Sequence, residues 1–87
     1  MKKISENISY KEAVRSETAK RLGILNKPKK EHIENMELIA EKIFQPLREW
    51  VEHPIRINSF YRSEELNSRI GGAISSAHKE GLAIDIT

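Results

Sequence analysis

Two residues near the end of the sequence, His78 and Asp85, could meet and bind a metal ion. Gly81 lies between them and interrupts any helix, so we predict that His78 lies in a loop. Every second residue from 82 to 86 is apolar, and this alternation predicts a half-buried strand in which Asp85 faces away from the apolar row. A loop and the polar face of a strand can bring an imidazole and a carboxylate to one point. Such a pair can supply two ligands of a metal site, whereas each residue taken singly is more often solvated.

The N-terminal part of the chain predicts two short helices. Ser9 and Glu12 have the S-x-x-E spacing of a capping box, which predicts a helix that begins at Tyr10. Ser16 divides this segment in two, and Gly23 is suited to a left-handed stop.

The longest predicted helix runs from about Lys30 to Val51, because apolar residues recur there at steps of three and four. Phe44 and Trp50 are expected to fill the core. Pro46 lacks a backbone donor and clashes with the carbonyl four residues earlier, so we predict a kink in the turn before it. The predicted apolar side contains Ile33, Met36, Ile39 or Ala40, Ile43, Leu47 and Trp50 or Val51.

After the long helix, residues 55–60 alternate well enough to form a strand. Ser63 is a suitable N-cap for a short helix, which Gly71 helps to stop. A loop then leads to His78 and the final strand. The order helix, helix, strand, short helix, loop, strand indicates an α+β fold in a single domain over residues 1–87.

Composition and charge narrow the classes of function. The chain has no cysteine, so a metal site would use histidine or carboxylate ligands. The formal net charge is only +2, and the clustered Lys27, Lys29 and Lys30 are best explained as a solvated loop, so we predict no nucleic-acid partner. Met1-Lys2-Lys3 leads into polar residues without the apolar core of a signal peptide, and no apolar run could span a membrane. We expect no membrane partner and a cytoplasmic location.

The closing stretch also matches a metal motif. Its residues follow the pattern S-x-H-x-x-G-x-A-x-D with Ser76, His78, Gly81, Ala83 and Asp85. This pattern resembles the motif of zinc D-Ala-D-Ala carboxypeptidases, family fifteen of the metallopeptidases, which includes phage endolysins. So many fixed positions at fixed spacing make the match far more specific than a lone short motif.

The resemblance extends over nearly the whole chain. Ser59-Phe60-Tyr61-Arg62-Ser63, Leu66-Asn67 and Gly71-Gly72 resemble the S-G-Y-R-S, L-N and G-G run that precedes the metal motif in that family. The N-terminal half contributes Ser16-x-Thr18-Ala19, Leu22-Gly23-Ile24, Asn26-x-Pro28 and Gln45-Pro46-Leu47-Arg48. The resemblance implies a hedgehog/D-Ala-D-Ala peptidase-like fold, in which N-terminal helices pack on a small antiparallel sheet.

The resemblance also implies roles for individual residues. His78 and Asp85 would be the first two zinc ligands, which suits the chemistry of imidazole and carboxylate. Arg62 would be catalytic, as the cation that binds the substrate carboxylate or steadies the developing oxyanion. The implied substrate is a peptidoglycan peptide or another D-amino-acid peptide, with a zinc-bound water as the nucleophile.

Three further residues would support the site. The hydroxyl of Ser76 would hold the loop or form a hydrogen bond to one of the metal ligands. Gly81 would avoid crowding in the turn because it has no side chain. Tyr61 lies beside the catalytic arginine in the matched run. His32 and His53 match no ligand position, so we predict that both are solvated.

The sequence departs from the family pattern at several positions. Phe60 stands where glycine is usual and Ala77 where glutamine is common, so we expect substrate contacts near Arg62 to differ. Lys29 and Lys30 stand at the start of the long helix, where a small capping residue is usual. Family members continue beyond the aspartate and supply there the catalytic Glu and a third zinc ligand, a His near a Trp. The zinc set visible in this sequence is therefore incomplete.

Three hypotheses describe the function. The first is a zinc peptidase of the D-Ala-D-Ala carboxypeptidase or endolysin type, or the first part of one. The second is a catalytically incomplete, prophage-derived remnant or a module that binds cell-wall peptides. The third is self-association through the exposed edge of the final strand, which another copy could pair with.

Overall fold

The structure, a computed structural model, describes residues 3–87 of the chain. Met1 and Lys2, on which the prediction of no signal peptide partly rests, lie outside the described residues. The elements in chain order are β1 (Lys3–Ser5), β2 (Ile8–Ser9), α1 (Tyr10–Val14), α2 (Glu17–Leu22), α3 (Lys30–Ile39), a π-helical segment (Ala40–Phe44), α4 (Gln45–Val51), β3 (Ile57–Ser59), α5 (Glu64–Arg69), a 3₁₀-helix (Ala77–Glu80) and β4 (Asp85–Ile86). Helices and antiparallel strand pairs together confirm the α+β fold.

The first helix begins at Tyr10, the segment divides at Ser16 and the second helix stops at Gly23, as predicted. The Ser9 hydroxyl accepts a hydrogen bond from the Glu12 N–H at 3.1 Å, and the Glu12 carboxylate accepts one from the Ser9 N–H at 3.1 Å. The Ser16 hydroxyl accepts from the Ala19 N–H at 3.1 Å, which starts α2. Gly23 ends that helix in the left-handed conformation, with φ 68°.

The long helix is distorted in the turn before Pro46, as predicted. α3 passes into the π-helical segment Ala40–Phe44, and the Gln45 N–H donates to the Ala40 carbonyl, five residues back. Pro46 has no N–H, and its ring would clash with the Lys42 carbonyl in a regular helix. One turn therefore contains an extra residue.

The extra residue changes which side chains face the core. Met36, Ala40 and Phe44 are buried in one row. Ile43 and Trp50, which the periodicity assigned to the apolar side, are exposed, and Trp50 is 80% exposed. An inserted residue rotates the rest of a helix by about 100° relative to an uninterrupted one. The prediction that Trp50 fills the core is therefore wrong.

β3 and β4 form the predicted small antiparallel sheet. The pairing places Ser59 opposite Asp85. Ile84 and Ile86 pack against the core while Asp85 is exposed, as the alternation predicted. Leu82, the first residue of the predicted apolar row, is exposed instead, because the strand begins only at Asp85.

β1 and β2 form a second antiparallel pair, a hairpin that the sequence did not predict. Ile4 and Ile8 of this hairpin are buried in the core. Gln45 holds the hairpin on the long helix, because its Oε1 accepts from the Ser5 hydroxyl at 2.8 Å and its Nε2 donates to Asn7 Oδ1 at 3.0 Å. Strands this short are below the length at which alternation can be recognised.

One core joins the hairpin, α1, the long helix and β3. Its buried members are Ile4, Ile8, Ala13, Met36, Ala40, Phe44, Ile57, Phe60 and Tyr61. The last three come from the segment directly before Arg62, so the core fixes the backbone that presents this arginine. Within residues 3–87, no helix has both the length and the apolar character needed to cross a membrane.

Candidate metal centre

The three residues predicted to carry the chemistry come together beside the β3–β4 sheet. His78 Nε2 lies 3.4 Å from Asp85 Oδ2, and Arg62 Nη2 lies 3.6 Å from the same oxygen. The side chains of His78 and Arg62 are 10% and 17% exposed, whereas that of Asp85 is 57% exposed. A carboxylate open to solvent is thus flanked by a nearly buried imidazole and a largely buried guanidinium.

A main-chain carbonyl orients the ring of His78. Nδ1 lies 2.7 Å from the Phe60 carbonyl oxygen. A carbonyl oxygen can only accept, so Nδ1 carries a proton and donates it. In the neutral ring the lone pair of Nε2 then faces Asp85, which is how metal-binding histidines are usually held. A lone pair and a carboxylate oxygen at this distance repel each other unless a cation or a proton lies between them.

The separation of the two donor atoms fits zinc. With zinc–ligand bonds of about 2.1 Å and a tetrahedral angle, two ligand atoms lie about 3.4 Å apart. The observed distance between His78 Nε2 and Asp85 Oδ2 is 3.4 Å. Across the described part of the chain, no group of three or more His, Cys, Asp or Glu side chains could hold a metal ion. His78 and Asp85 therefore present two donor atoms at a separation that fits zinc.

His78 lies in the 3₁₀-helix Ala77–Glu80 and not in the predicted irregular loop. The Ser76 hydroxyl caps this helix by accepting from the His78 N–H at 3.3 Å. Gly81 ends it with φ 76°, and a Cβ at this position would lie 2.6 Å from the His32 carbonyl oxygen. Both the backbone conformation and the close approach to α3 require glycine. Ser76 and Gly81 therefore shape the turn that presents His78.

Arg62 contacts both metal-ligand candidates. Its main-chain N–H donates to the His78 carbonyl at 3.0 Å. Its Nε donates to the Ser59 hydroxyl at 3.2 Å and its Nη1 to Asn67 Oδ1 at 3.3 Å. These bonds fix the plane of the guanidinium beside Asp85, so the cation is held in place before any ligand arrives.

Asn26 holds the backbone on both sides of Arg62. Its Oδ1 accepts from the Ser63 N–H at 2.6 Å, and its Nδ2 donates to the Tyr61 carbonyl at 3.1 Å. The same Nδ2 donates to the Val14 carbonyl at 2.8 Å, at the end of α1. One side-chain amide thus ties the segment that carries the arginine to the N-terminal helices.

Asn67 supports the arginine from the other side. It is buried, and while its Oδ1 accepts from Arg62 its Nδ2 donates to the Ala73 carbonyl at 2.8 Å. Gly72 packs so closely on this amide that a Cβ would overlap its Oδ1. Asn67 therefore links the guanidinium to the loop that leads to His78.

Tyr61 lies on the core side of the site. Its main-chain N–H donates to the Ala13 carbonyl at 3.0 Å, and its ring centre lies 5.2 Å from that of His32. Burial, with a smaller contribution from Tyr10, raises the pKa of the Tyr61 phenol above its usual value of 10.0. His32 is half-buried, and its Nδ1 accepts from the Lys29 N–H at 3.2 Å, so its solvation stays a prediction.

The departures from the family pattern have different structural outcomes. The side chain of Phe60 is fully buried in the core, so it does not face the site, although its carbonyl orients His78. Ala77 is exposed in the 3₁₀-helix. His53 is exposed, as predicted.

Sequence reasoning assigned no role to the carbonyl of Phe60, the hydroxyl of Ser59 or the amides of Asn26 and Asn67. Main-chain carbonyls have no signature in a sequence, so the role of the Phe60 carbonyl could not be predicted. Asn26 and Asn67 did carry a signal, since both lie in segments that matched the family pattern.

The α+β fold holds a histidine and an aspartate beside an arginine at one edge of the β3–β4 sheet. In a comparison with protein-family models, residues 6–87 match the family described as Peptidase M15. The chain belongs to this family of hydrolases. Comparison with curated proteins found no match, and comparison with solved structures found none.

Proposed function

We propose that the chain is a zinc metallopeptidase-like domain that acts on cell-wall peptides, of the D-Ala-D-Ala carboxypeptidase or endolysin type. The observation that carries this proposal is the 3.4 Å distance between His78 Nε2 and Asp85 Oδ2, while His78 Nδ1 donates a hydrogen bond to the Phe60 carbonyl. Membership of the Peptidase M15 family supports it. His78 and Asp85 would hold the zinc ion, which would supply Lewis-acid activation of water and of the scissile carbonyl.

Arg62 orients the substrate in this proposal. Its five N–H groups lie in one plane, and the bonds to Ser59 and Asn67 use only part of this donor set. The remaining N–H groups can donate to a carboxylate or to the oxygen on which negative charge develops. Because the guanidinium is already fixed, little ordering is needed when the substrate binds.

The supporting residues keep this geometry. Ser76 and Gly81 shape the 3₁₀-helix of His78, and the buried ring and main-chain bond of Tyr61 fix the segment before Arg62. None of the three needs to touch the substrate for this role. Their effect is on the positions of the imidazole and the guanidinium.

Release of D-alanine from an N-acylated D-Ala-D-Ala peptide in the presence of zinc tests the proposal. We expect release by the wild-type chain and by His53→Ala, which removes an exposed histidine, and no release by His78→Ala. Release that persists in His78→Ala would contradict the assignment of the metal ligand.

The second candidate is a module that binds cell-wall peptides without cutting them. It is favoured by the finding that residues 3–87 contain no group of three or more His, Cys, Asp or Glu side chains placed to hold a metal ion. The same assay separates the two candidates. Peptide binding without D-alanine release supports the module, and zinc-dependent release that His78→Ala abolishes excludes it.

We also propose that the partner is a peptide and not a nucleic acid or a membrane, and that the chain is located in the cytoplasm. Cell fractionation checks the location. Self-association remains a proposal: β4 lies at the edge of a two-stranded sheet, and its outer side could pair with another copy. A monomer in light scattering at high protein concentration would contradict this pairing.

A further inference from the structure

We propose that Arg15 is a second cation of the substrate cleft and binds a carboxylate of an anionic peptide next to Arg62. This inference deepens the proposed function, on which it rests for the identity of the cleft as a substrate site. The family motif does not include Arg15, and no role for it followed from the sequence. Its position in the fold carries the argument.

Arg15 and Arg62 line the same cavity. This cavity, of about 260 Å³, lies between the corner that joins α1 to α2, the strand β3 and the helix α5. Because Arg62 Nη2 also lies 3.6 Å from Asp85, the cavity adjoins the proposed metal centre. A ligand in the cavity would therefore reach the metal ligands through Arg62.

Both guanidinium groups are anchored on β3. Arg15 Nη2 donates to the Ile57 carbonyl at 2.9 Å, and Arg62 Nε donates to the Ser59 hydroxyl at 3.2 Å. The anchoring residues are two apart on the strand, and both arginines line the same cavity. Two anchored cations in one cavity can contact one carboxylate and the neighbouring part of the same short ligand.

The charge of the cavity wall favours an anion. Two arginines line it, whereas Glu17 is the only acidic residue among its lining residues. Asp85 pairs with Arg62 but does not line the cavity. Among the lining residues, positive charges therefore outnumber negative ones by two to one, which favours an anion over a cation.

The remaining walls suit a peptide. Leu66 and Ile70 provide an apolar side that can contact a small side chain such as a methyl group. Thr18 and Asn58 add a hydroxyl and an amide that can bond to peptide groups. The combination of fixed cations, a short apolar wall and neutral polar groups indicates a short peptide with a free carboxylate.

Binding of three matched probes to the metal-free protein tests the inference. The probes are N-acetyl-D-alanyl-D-alanine, its C-terminal amide, and N-acetyl-D-glutamyl-D-alanine amide, whose carboxylate is on a side chain. Chemical-shift titration in low salt follows each of them. The first and third probes show whether the carboxylate comes from the chain end or from a side chain.

Arg15→Gln removes the charge but keeps an amide that can donate to the Ile57 carbonyl. We expect it to weaken binding of at least one carboxylate probe about threefold to fivefold, the upper part of the range for an ion pair open to solvent, and to leave binding of N-acetyl-D-alanyl-D-alanine amide unchanged. Arg56→Gln is the matched control, because Arg56 is exposed, lies next to Ile57 in sequence and does not line the cavity. It should leave all three titrations unchanged.

Several results would overturn the inference. These are equal binding of acid and amide probes, an equal effect of Arg15→Gln and Arg56→Gln, and no detectable binding of either carboxylate probe. If Arg15→Gln disturbs the fold, Arg15→Lys replaces it; this variant keeps the charge, and we expect it to retain most of the carboxylate affinity.

Failure of the proposed function gives a different pattern. If the chain does not bind zinc but Arg15 still selects the carboxylate probes, the metallopeptidase proposal fails, and Arg15 is a carboxylate-binding residue of a peptide-binding module. If zinc binds through His78 while Arg15→Gln has no effect on any probe, the inference fails alone.

Discussion

Replacing Gly81 by alanine should be far more damaging than replacing Gly71, although the two glycines have nearly the same positive φ angle. Their φ angles are 76° and 77°. A Cβ at Gly71 would meet no atom within 4 Å, whereas one at Gly81 would lie 2.6 Å from the His32 carbonyl oxygen and 2.8 Å from Met36 Cγ. The pair therefore separates the cost of the conformation from the cost of the close approach to α3.

The left-handed conformation costs an alanine roughly 1–2 kcal/mol at either position. At Gly81 the clash adds the cost of overpacking, roughly 1–3 kcal/mol, because the His32 carbonyl belongs to the backbone of α3 and cannot rotate away. We expect Gly71→Ala to lower the free energy of unfolding by about 1 kcal/mol and Gly81→Ala by about 3 kcal/mol.

Urea unfolding followed by far-ultraviolet circular dichroism measures both values. Fluorescence of Trp50 is less suitable, because this side chain is largely exposed in the folded protein. Equal losses for the two variants would refute the reasoning, since the contact between Gly81 and α3 would then have no energetic effect. Zinc affinity should also fall in Gly81→Ala and stay unchanged in Gly71→Ala, because only Gly81 ends the helix that presents His78.

The packing leads to three other predictions. Phe44→Ala should lower the free energy of unfolding by about 3–5 kcal/mol, whereas Trp50→Ala should change it little, which calorimetry can compare directly. Asn26→Asp removes the amide donors to two main-chain carbonyls and should cost about 2–3 kcal/mol in urea unfolding; an unchanged midpoint would show that this amide does not hold the arginine segment. Because the pKa of Tyr61 is raised in the folded protein, its neutral phenol contributes fully to stability below pH 10, and this contribution is lost as the pH rises through the folded-state pKa. Phenylalanine does not ionise, so between neutral and alkaline pH the free energy of unfolding should fall less in Tyr61→Phe than in the wild type.

Features set by neighbouring residues could be predicted from the sequence. The caps at Ser9, Ser16 and Ser63 and the stop at Gly23 depend on a few adjacent residues, and all of them occur in the structure. The distortion before Pro46 is equally local, since it arises from a missing N–H and a ring clash.

Features set by distant contacts could not be predicted. Trp50 lies on the exposed side because the π-helical turn rotates α4 relative to α3, and the periodicity of the sequence does not show how a strained turn relaxes. The hairpin of β1 and β2 depends on Ile4 and Ile8 reaching the core and on Gln45, which is 38 and 40 positions away from its two partners in the hairpin.

In the candidate site, too, the sequence predicts the functional residues but not the distant contacts that orient them. The metal motif selected His78 and Asp85, the matched run Ser59–Ser63 selected Arg62, and the structure brings all three together. The groups that orient them, such as the Phe60 carbonyl and the Asn67 amide, depend on how β3, α5 and the 3₁₀-helix pack. Spacing in a sequence identifies candidate donor atoms, and tertiary packing decides which of them are held in place.

The most direct test of the central claim is a zinc titration by isothermal calorimetry. We predict one zinc ion per chain in the wild type, the same affinity in His53→Ala, and a loss of about tenfold or more in both His78→Ala and Asp85→Ala. Equal zinc affinity in all four proteins would contradict the assignment of His78 and Asp85 as the metal ligands.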